Sequence, residues 1–156
     1  MFGFLKRKVR DIYAPVDGQI VALESVEDEV FSQKMAGDGV AIIPVSNIFS
    51  APIEGVVTKI FSTNHAYSIK SDKDLDVMVH IGLDTVALEG KGFTRIAQEG
   101  DKVKVGDPII KIDLAYIKEN AKDIITPIII LDESDVKSIE KKFAIVKCRD
   151  KIMEVQ

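Results

Sequence analysis

The stretch "APVDGQIV", residues 14–21, has a near copy, "APIEGVVT", at residues 51–58. Both copies contain Ala-Pro, an apolar residue, an acidic residue and Gly, followed by an apolar position. Proline fixes the backbone before a turn, and glycine supplies the conformation that the turn needs. The same turn used twice predicts a duplicated β unit. The alternative is two unrelated turns of a common type.

Short segments rich in Val and Ile, bounded by glycine and other turn residues, recur along the chain. They span 18–23, 39–45, 55–61, 76–81, 107–113 and 127–131. Such spacing is typical of an all-β sandwich or barrel. One or two short helices are expected, over 113–123 with Asp113 as the N-cap, and over 132–142.

The composition limits the classes of protein that the chain can belong to. Its 156 residues carry a net charge of -4 and have a pI of about 5.2, which argues against a nucleic-acid-binding protein. No apolar run approaches the roughly 20 residues that a membrane helix needs. The single cysteine, Cys148, excludes an internal disulfide and suits a reducing compartment.

Both histidines lie in one segment, "NHAYSIKSDKDLDVMVHIG", residues 64–82. If residues 76–82 form a strand, side-chain alternation places His80 on one face with Met78. If "NHAYSI" is also a strand, His65 shares a face with Tyr67, and pairing of the two strands would bring the imidazoles together. For either histidine taken alone, an ordinary structural role is the alternative.

Three kinds of histidine chemistry are open to such a pair. A zinc site needs three or four protein ligands, and the sequence offers neither a His-x-His nor a cysteine pair. A general base needs a nucleophile, which no Ser, Cys or Thr motif marks. A neutral imidazole can instead carry a group covalently while the other histidine orients it or stabilises the group's charge. The third chemistry fits the two histidines best.

Four motifs, "NHAYSI", "VHIGLDTVALEGKGF", "EGDKVKVGD" and "GDGVAI", resemble the glucose-type IIA component of the bacterial phosphoenolpyruvate:sugar phosphotransferase system. The resemblance runs from about Ile12 to the C-terminal strands. It implies an antiparallel β-sandwich built on a duplicated hybrid motif, in a single domain over residues 11–156. It also implies a cytoplasmic phosphotransferase component that needs no cofactor. Such a phosphocarrier accepts a phosphoryl group from the protein HPr and passes it to a cysteine of the IIB domain of a sugar permease.

The resemblance also assigns roles to individual residues. His80 matches the nucleophile that is phosphorylated on Nε2, and the carbonyl of Gly82 would fix its tautomer. His65 matches the histidine that donates from Nε2 to the phosphoryl oxygens, with Thr63 orienting its other nitrogen. Zinc is expected only if a partner adds a ligand to His65 and His80.

An apolar rim that contacts HPr and IIB surrounds the site in the family. Asp28 and Asp84 match two acidic residues that meet a basic residue of the partner, whereas Glu29 falls where an apolar residue is usual. The alternatives are core packing for the apolar residues and simple turns for the aspartates. The matching apolar residues are Val30, Phe31, Phe61, Tyr67, Met78, Ile81 and Val86.

Residues 1–10 form a basic segment whose apolar residues share one helical face. It is expected to be either a flexible tail or an amphipathic segment in peripheral contact with an anionic membrane. The face consists of Phe2, Leu5 and Val9, flanked by Lys6, Arg7, Lys8 and Arg10.

Three other functions compete with the phosphocarrier. A regulatory binding module would use the same histidine face to hold other proteins. Zinc endopeptidases with a duplicated β motif use a His-x-His on a strand, and Met78 stands where the first histidine would be. Residues 99–113 look like part of a biotinyl or lipoyl carrier domain, but no isolated lysine pair marks a modified hairpin tip.

Overall fold

The structure, a computed structural model, describes residues 9–133 and 135–156. Short strands dominate it, which confirms the predicted all-β class. The strands are β1 Arg10–Tyr13, β2 Gly18–Ala22, β3 Gly39–Pro44, β4 Ile48–Ser50, β5 Gly55–Ile60, β6 Ala66–Lys70, β7 Asp76–His80, β8 Phe93–Arg95, β9 Lys102–Val103, β10 Pro108–Ile112, β11 Thr126–Ile130, β12 Ile139–Lys141, β13 Ile145–Val146 and β14 Lys151–Val155. The α-helices are α1 Glu29–Ser32 and α2 Leu114–Asn120, and single 3-10 turns span Leu23–Ser25 and Thr85–Leu88.

The strands form three sheets, and their pairing is antiparallel throughout the described residues. The large sheet has the order β13-β2-β3-β11-β7-β6-β5-β9, and the two small sheets have the orders β1-β14-β12 and β4-β10-β8. Ile12 and Ile152 from one small sheet pack with Phe49 and Ile110 from the other, in the same core as Val77 of the large sheet. Burial of these side chains stabilises the sandwich, because each removes apolar surface from water.

The repeated Ala-Pro turns occupy equivalent positions, which confirms the duplicated unit. In each copy the alanine backbone donates to, and accepts from, a later turn of the chain. Two further backbone bonds join the copies directly. The bonds are Ala14 to Asp150 and Arg149 at 2.8 and 2.9 Å, Ala51 to Asp107 and Gly106 at 2.9 and 3.0 Å, Tyr13 to Pro52 at 2.9 Å and Ser50 to Pro15 at 2.8 Å.

Of the two predicted helices, the first is present and the second is absent. The side chain of Asp113 accepts from the backbone N–H of Tyr116, and the buried Ile117 anchors α2 in the core, as the sequence predicts. The prediction of a helix over 132–142 is wrong for the residues that the structure describes there. Ile139–Lys141 instead forms β12, because its backbone pairs with β14, and this tertiary pairing outweighs a weak local helix preference.

The predicted basic segment lies mostly outside the described residues, which begin at Val9. Arg10 is an exception and belongs to the fold, because it pairs with Val155 at the start of β1 and is only 6% exposed. Its guanidinium donates to the carbonyl oxygen of Lys73 at 3.1 Å. In the part of the chain that the structure covers, no helix is long and apolar enough to cross a membrane.

Candidate functional site

The pairing of β6 with β7 brings the two histidines together. Ala66 lies opposite His80 in this pair, and the carbonyl of His65 accepts from the backbone N–H of Ile81 at 2.7 Å. The two imidazole centroids are 5.0 Å apart, with an angle of 79° between the ring planes. A group bound to one ring is therefore within reach of the other.

The backbone after β7 sets the tautomer of His80. Its Nδ1 lies 2.8 Å from the carbonyl oxygen of Gly82. A carbonyl can only accept, so Nδ1 carries the proton, and Nε2 of the neutral ring keeps an unshared electron pair.

The position of that carbonyl depends on the glycine itself. Gly82 has φ +74°, and a Cβ there would lie 2.7 Å from Cγ2 of Thr85 and 2.8 Å from the carbonyl oxygen of Asp123. The hydroxyl of Thr85 donates to the carbonyl oxygen of Ile81 at 2.7 Å, which holds the turn against β7. A residue with a side chain would therefore displace the acceptor of the His80 ring.

The loop between β5 and β6 holds His65. Nδ1 of His65 makes a short hydrogen bond with the hydroxyl of Thr63. The ring of Phe61 packs edge-on against the imidazole of His65, with 5.3 Å between the ring centroids. Asn64, which lies between Thr63 and His65, adopts a left-handed backbone with φ +60°, and asparagine tolerates this conformation better than most residues. His65 is 5% exposed, so its orientation is set by packing as well as by Thr63.

Both imidazoles are neutral in the folded protein at neutral pH. Burial, and secondarily the nearby His80, lowers the pKa of His65 to about 4. Burial also lowers the pKa of His80, although the bond to Gly82 and the charge of Asp28 act in the opposite direction. The electron pair on Nε2 of His80 is therefore not blocked by a proton near pH 7.

We expect the lowered pKa of His65 to make the fold less stable in mild acid. The unfolded chain binds a proton at His65 near pH 6.5, whereas the folded chain does so only near pH 4. The free energy of unfolding carries no penalty from His65 above about pH 6.5, and it falls by about 3 kcal/mol as the pH falls toward 4. Urea unfolding of wild type and His65→Gln at pH 7 and pH 4.5 measures the contribution of His65 to the free energy of unfolding. The carboxylates titrate equally in both proteins, so their effect cancels in the comparison. A stability difference between the two proteins that does not change with pH would contradict the lowered pKa.

The predicted rim divides into surface residues and core residues. Val30 and Val86 are 46% and 57% exposed, Asp84 is exposed, and Asp28, Phe61 and Met78 are half-buried. Tyr67 and Ile81 are 0% and 1% exposed, so their predicted place at the surface is wrong. The hydroxyl of Tyr67 donates to the carbonyl oxygen of Ser50 at 2.6 Å, which allows this large side chain to be fully buried.

Phe31 also differs from the predicted rim, because it is only 5% exposed. It lies in the short helix α1, which begins where the side chain of Asp28 accepts from the backbone N–H of Val30. Its ring packs against the ring of His80, with 5.0 Å between the centroids. Phe31 therefore supports the histidine from within a small second core that also contains Leu23 and Leu83.

Several residues that position the site were not predicted from the sequence. Thr85 and Thr126 contact the turn behind His80, and Arg95 donates to the loop that carries His65. "GLDT" directly after the histidine strand was the available signal for Thr85. Nothing local marks Thr126 or Arg95, because both reach the site from distant parts of the chain.

The described residues contain no group of three or more His, Cys, Asp or Glu side chains that could hold a metal ion. His65 and His80 alone would supply at most two ligands, whereas a stable zinc site uses three or four protein ligands. The arrangement suits chemistry performed by the imidazoles themselves.

Together, an antiparallel β-sandwich and a pair of neutral, oriented imidazoles suit the class of proteins that carry a group on a histidine side chain. The family model for the phosphoenolpyruvate-dependent sugar phosphotransferase system, EIIA 1, matches residues 10–136. The chain belongs to this EIIA family, and it is a phosphotransferase component of the sugar phosphotransferase system.

Three known proteins show the extent of the similarity. The glucose-specific EIIA component of Buchnera aphidicola subsp. Baizongia pistaciae is 53% identical over 133 residues, which cover 85% of this chain and 79% of that protein. The N-acetylglucosamine-specific EIICBA component of Klebsiella pneumoniae is 44% identical over 133 residues, 85% of this chain and 20% of that protein. The solved glucose permease IIA of Mycoplasma capricolum is 37% identical, with a TM-score of 0.91 over 99% of both chains.

Proposed function

We propose that His80 accepts a phosphoryl group from phosphorylated HPr and passes it to the cysteine of the IIB domain of a glucose-type sugar permease. The observation that carries this proposal is the bond from Nδ1 of His80 to the carbonyl of Gly82. It leaves Nε2 as the nucleophilic atom in a ring that is neutral at working pH.

The reaction at His80 is a pair of in-line transfers. In the first, the electron pair of Nε2 forms a bond to phosphorus while the bond between phosphorus and the donor atom of HPr breaks. In the second, the thiolate of IIB attacks phosphorus and the bond to Nε2 breaks, which returns the neutral imidazole. Catalysis of such transfers is chiefly positioning and stabilisation of charge, so two well-placed rings are sufficient.

His65 is suited to stabilise the charge of the transferred group. If the hydroxyl of Thr63 donates to Nδ1 of His65, Nε2 carries the proton and can donate to a phosphoryl oxygen. This donor matters chiefly for the transfer to IIB, because uptake needs only the nucleophilic Nε2 of His80, whereas donation needs the leaving phosphoryl group to be stabilised.

The surface beside His80 is suited to dock both partners. Val30, Val86 and the half-buried Phe61 and Met78 supply apolar area, and Asp28 and Asp84 would meet a basic residue of the partner. A single polypeptide named EIICBA contains a region similar to this chain, and its name supports IIB as a partner. HPr and IIB must reach the same Nε2, so they bind this surface in turn.

A pair of neighbouring variants tests this surface. We expect Val30→Lys to fold normally, because Val30 is 46% exposed, and to slow transfer from HPr and to IIB by about tenfold. We expect Phe31→Lys to unfold or to melt far lower, because a charge at a position that is 5% exposed costs several kcal/mol. Thermal melting and transfer rates measure both changes. A stable Phe31→Lys protein or an unaffected Val30→Lys protein would contradict this division between core and surface.

The remaining predictions belong to the same proposal. Residues 11–156 act as a single cytoplasmic IIA domain, and residues 1–10, apart from Arg10 in β1, stay predicted as either a flexible tail or an amphipathic segment in peripheral contact with a membrane. Transfer requires no metal. Zinc would join His65 and His80 only in a complex whose partner supplies the missing ligands.

The function is tested most directly by reconstitution. The protein is incubated with phosphoenolpyruvate, the first enzyme of the system and HPr, and its intact mass is recorded before and after a IIB domain is added. The expected result is the gain of one phosphoryl group, which is lost on addition of IIB. If no group is gained with active partners, the proposed function is wrong.

A further inference from the structure

We propose that Arg95 is a positioning residue for His65, since it fixes the loop that sets the tautomer and direction of that ring. Arg95 ends β8 in the small sheet β4-β10-β8, whereas His80 ends β7 of the large sheet and His65 lies in the loop between its strands β5 and β6. Its Nε donates to Oδ1 of Asn64 at 2.9 Å, and its Nη2 donates to the carbonyl oxygen of Phe61 at 3.2 Å. One guanidinium thus holds both ends of the turn 61–64.

The turn needs this support because its own bonds are few. The backbone N–H of Asn64 donates to the carbonyl of Phe61 at 2.7 Å, and that of Phe61 donates to Ala66 at 3.0 Å. Among the described residues, Arg95 supplies the side-chain bonds that reach this turn from outside the β5–β6 hairpin. Asn64 adopts its left-handed backbone, φ +60°, at little cost, so the bonds from Arg95 act by holding the turn against the rest of the fold.

In the described ranges, the hydrogen bonds of the Arg95 guanidinium go to this turn. No carboxylate forms an ion pair with it in the ranges 9–133 and 135–156, and its hydrogen bonds go to two neutral oxygens of the turn. A planar guanidinium presents several N–H groups in a fixed geometry, so it can hold two acceptors at once. Lysine, a single flexible donor, can replace only part of this arrangement.

The consequence concerns His65, which the turn carries. Thr63, whose hydroxyl contacts Nδ1 of His65, and Phe61, whose ring packs on the imidazole, both lie in the turn. If the turn relaxes, the ring loses its fixed tautomer and Nε2 no longer points consistently at the phosphoryl group. This inference rests on the proposed role of His65, and small displacements of a catalytic group have large kinetic effects.

The variants Arg95→Met, Arg95→Lys and Asn64→Gly test the inference. Glycine adopts φ +60° easily, so Asn64→Gly removes the acceptor without opposing the backbone conformation. Lys111→Met is the matched control, because Lys111 is exposed on β10 of the same sheet and its backbone pairs with Ile48 and Thr94. For every protein, melting temperature, the ring ¹⁵N NMR signals of His65, and single-turnover transfer from HPr and to IIB are recorded.

In Arg95→Met we expect a mixture of His65 tautomers and a transfer to IIB that is about tenfold slower at saturating IIB. Uptake from HPr should change less than twofold, Arg95→Lys should recover part of the rate, and Lys111→Met should match wild type. Asn64→Gly should resemble Arg95→Met, and the double variant should be no slower than either.

Two results would overturn the inference. One is a single wild-type His65 tautomer in Arg95→Met together with an unchanged donation rate. The other is additive effects in the Arg95→Met, Asn64→Gly double variant, which would show that the two residues act separately. The NMR signals are read in the free protein, so they decide the role of Arg95 even if the phosphoryl relay itself were disproved.

Discussion

Replacing His80 by glutamine is expected to abolish phosphoryl uptake from HPr. The amide of glutamine has no nucleophilic electron pair on nitrogen, whereas Nε2 of His80 does. The fold should survive, because His80 is only half-buried and the glutamine amide can still donate to the carbonyl of Gly82. Intact mass after incubation with phosphoenolpyruvate, the first enzyme and HPr measures uptake.

The control for this experiment is His65→Gln, which removes the other imidazole and leaves the nucleophile in place. It should be phosphorylated, whereas His80→Gln should not, and both should melt cooperatively. Normal labelling of folded His80→Gln would show that a residue other than His80 is phosphorylated. In that case the tautomer argument from Gly82 would no longer support the proposed function.

The second large effect is expected for donation by His65→Gln. Removal of one oriented hydrogen-bond donor from a transferred anionic group costs about 3 kcal/mol in comparable sites, which is a rate factor of about a hundred. We therefore expect this variant to accept a phosphoryl group from HPr and to pass it to IIB about a hundredfold more slowly. Rapid quenching of a single turnover between the phosphorylated variant and IIB measures the rate.

Thr63→Val provides a graded comparison for this prediction. It keeps the imidazole of His65 but removes the hydroxyl that contacts Nδ1, so donation should slow by less than in His65→Gln. Donation by His65→Gln at the wild-type rate would show that His65 is only a structural residue. The order wild type, Thr63→Val, His65→Gln, from fast to slow, is the result that supports a tautomer set by Thr63.

Much of the architecture could be predicted from local patterns. The Ala-Pro turns at residues 14–21 and 51–58 indicated the duplication, because proline and glycine restrict the backbone wherever they occur. Alternation along residues 76–80 placed His80 on one face with Met78, and the structure confirms it, because Val77 and Val79 between them are buried on the other face. The N-cap at Asp113 also predicted α2, because a cap is a local signal that acts within one turn of helix.

Predictions failed where distant strands decide the outcome. Residues 132–142 have a composition compatible with a helix, but β14 pairs with Ile139–Lys141 and makes them a strand. Tyr67 and Phe31 matched a surface by resemblance, yet both are buried. Burial of an aromatic side chain depends on which elements cover it, and a local sequence does not contain that information.

The sequence alone identified both histidines and the strand that carries His80, because these depend on residue type and on a period of two. His65 instead lies in the loop before β6, and the assembled fold brings its ring beside that of His80. Their chemical state depends on contacts made over long separations. The pKa of His65 is lowered by burial in the assembled sandwich, and Arg95 reaches its loop from another sheet. Hydrogen bonds and desolvation act through space, so only the packed tertiary structure determines which nitrogen carries a proton and which side chain holds it in place.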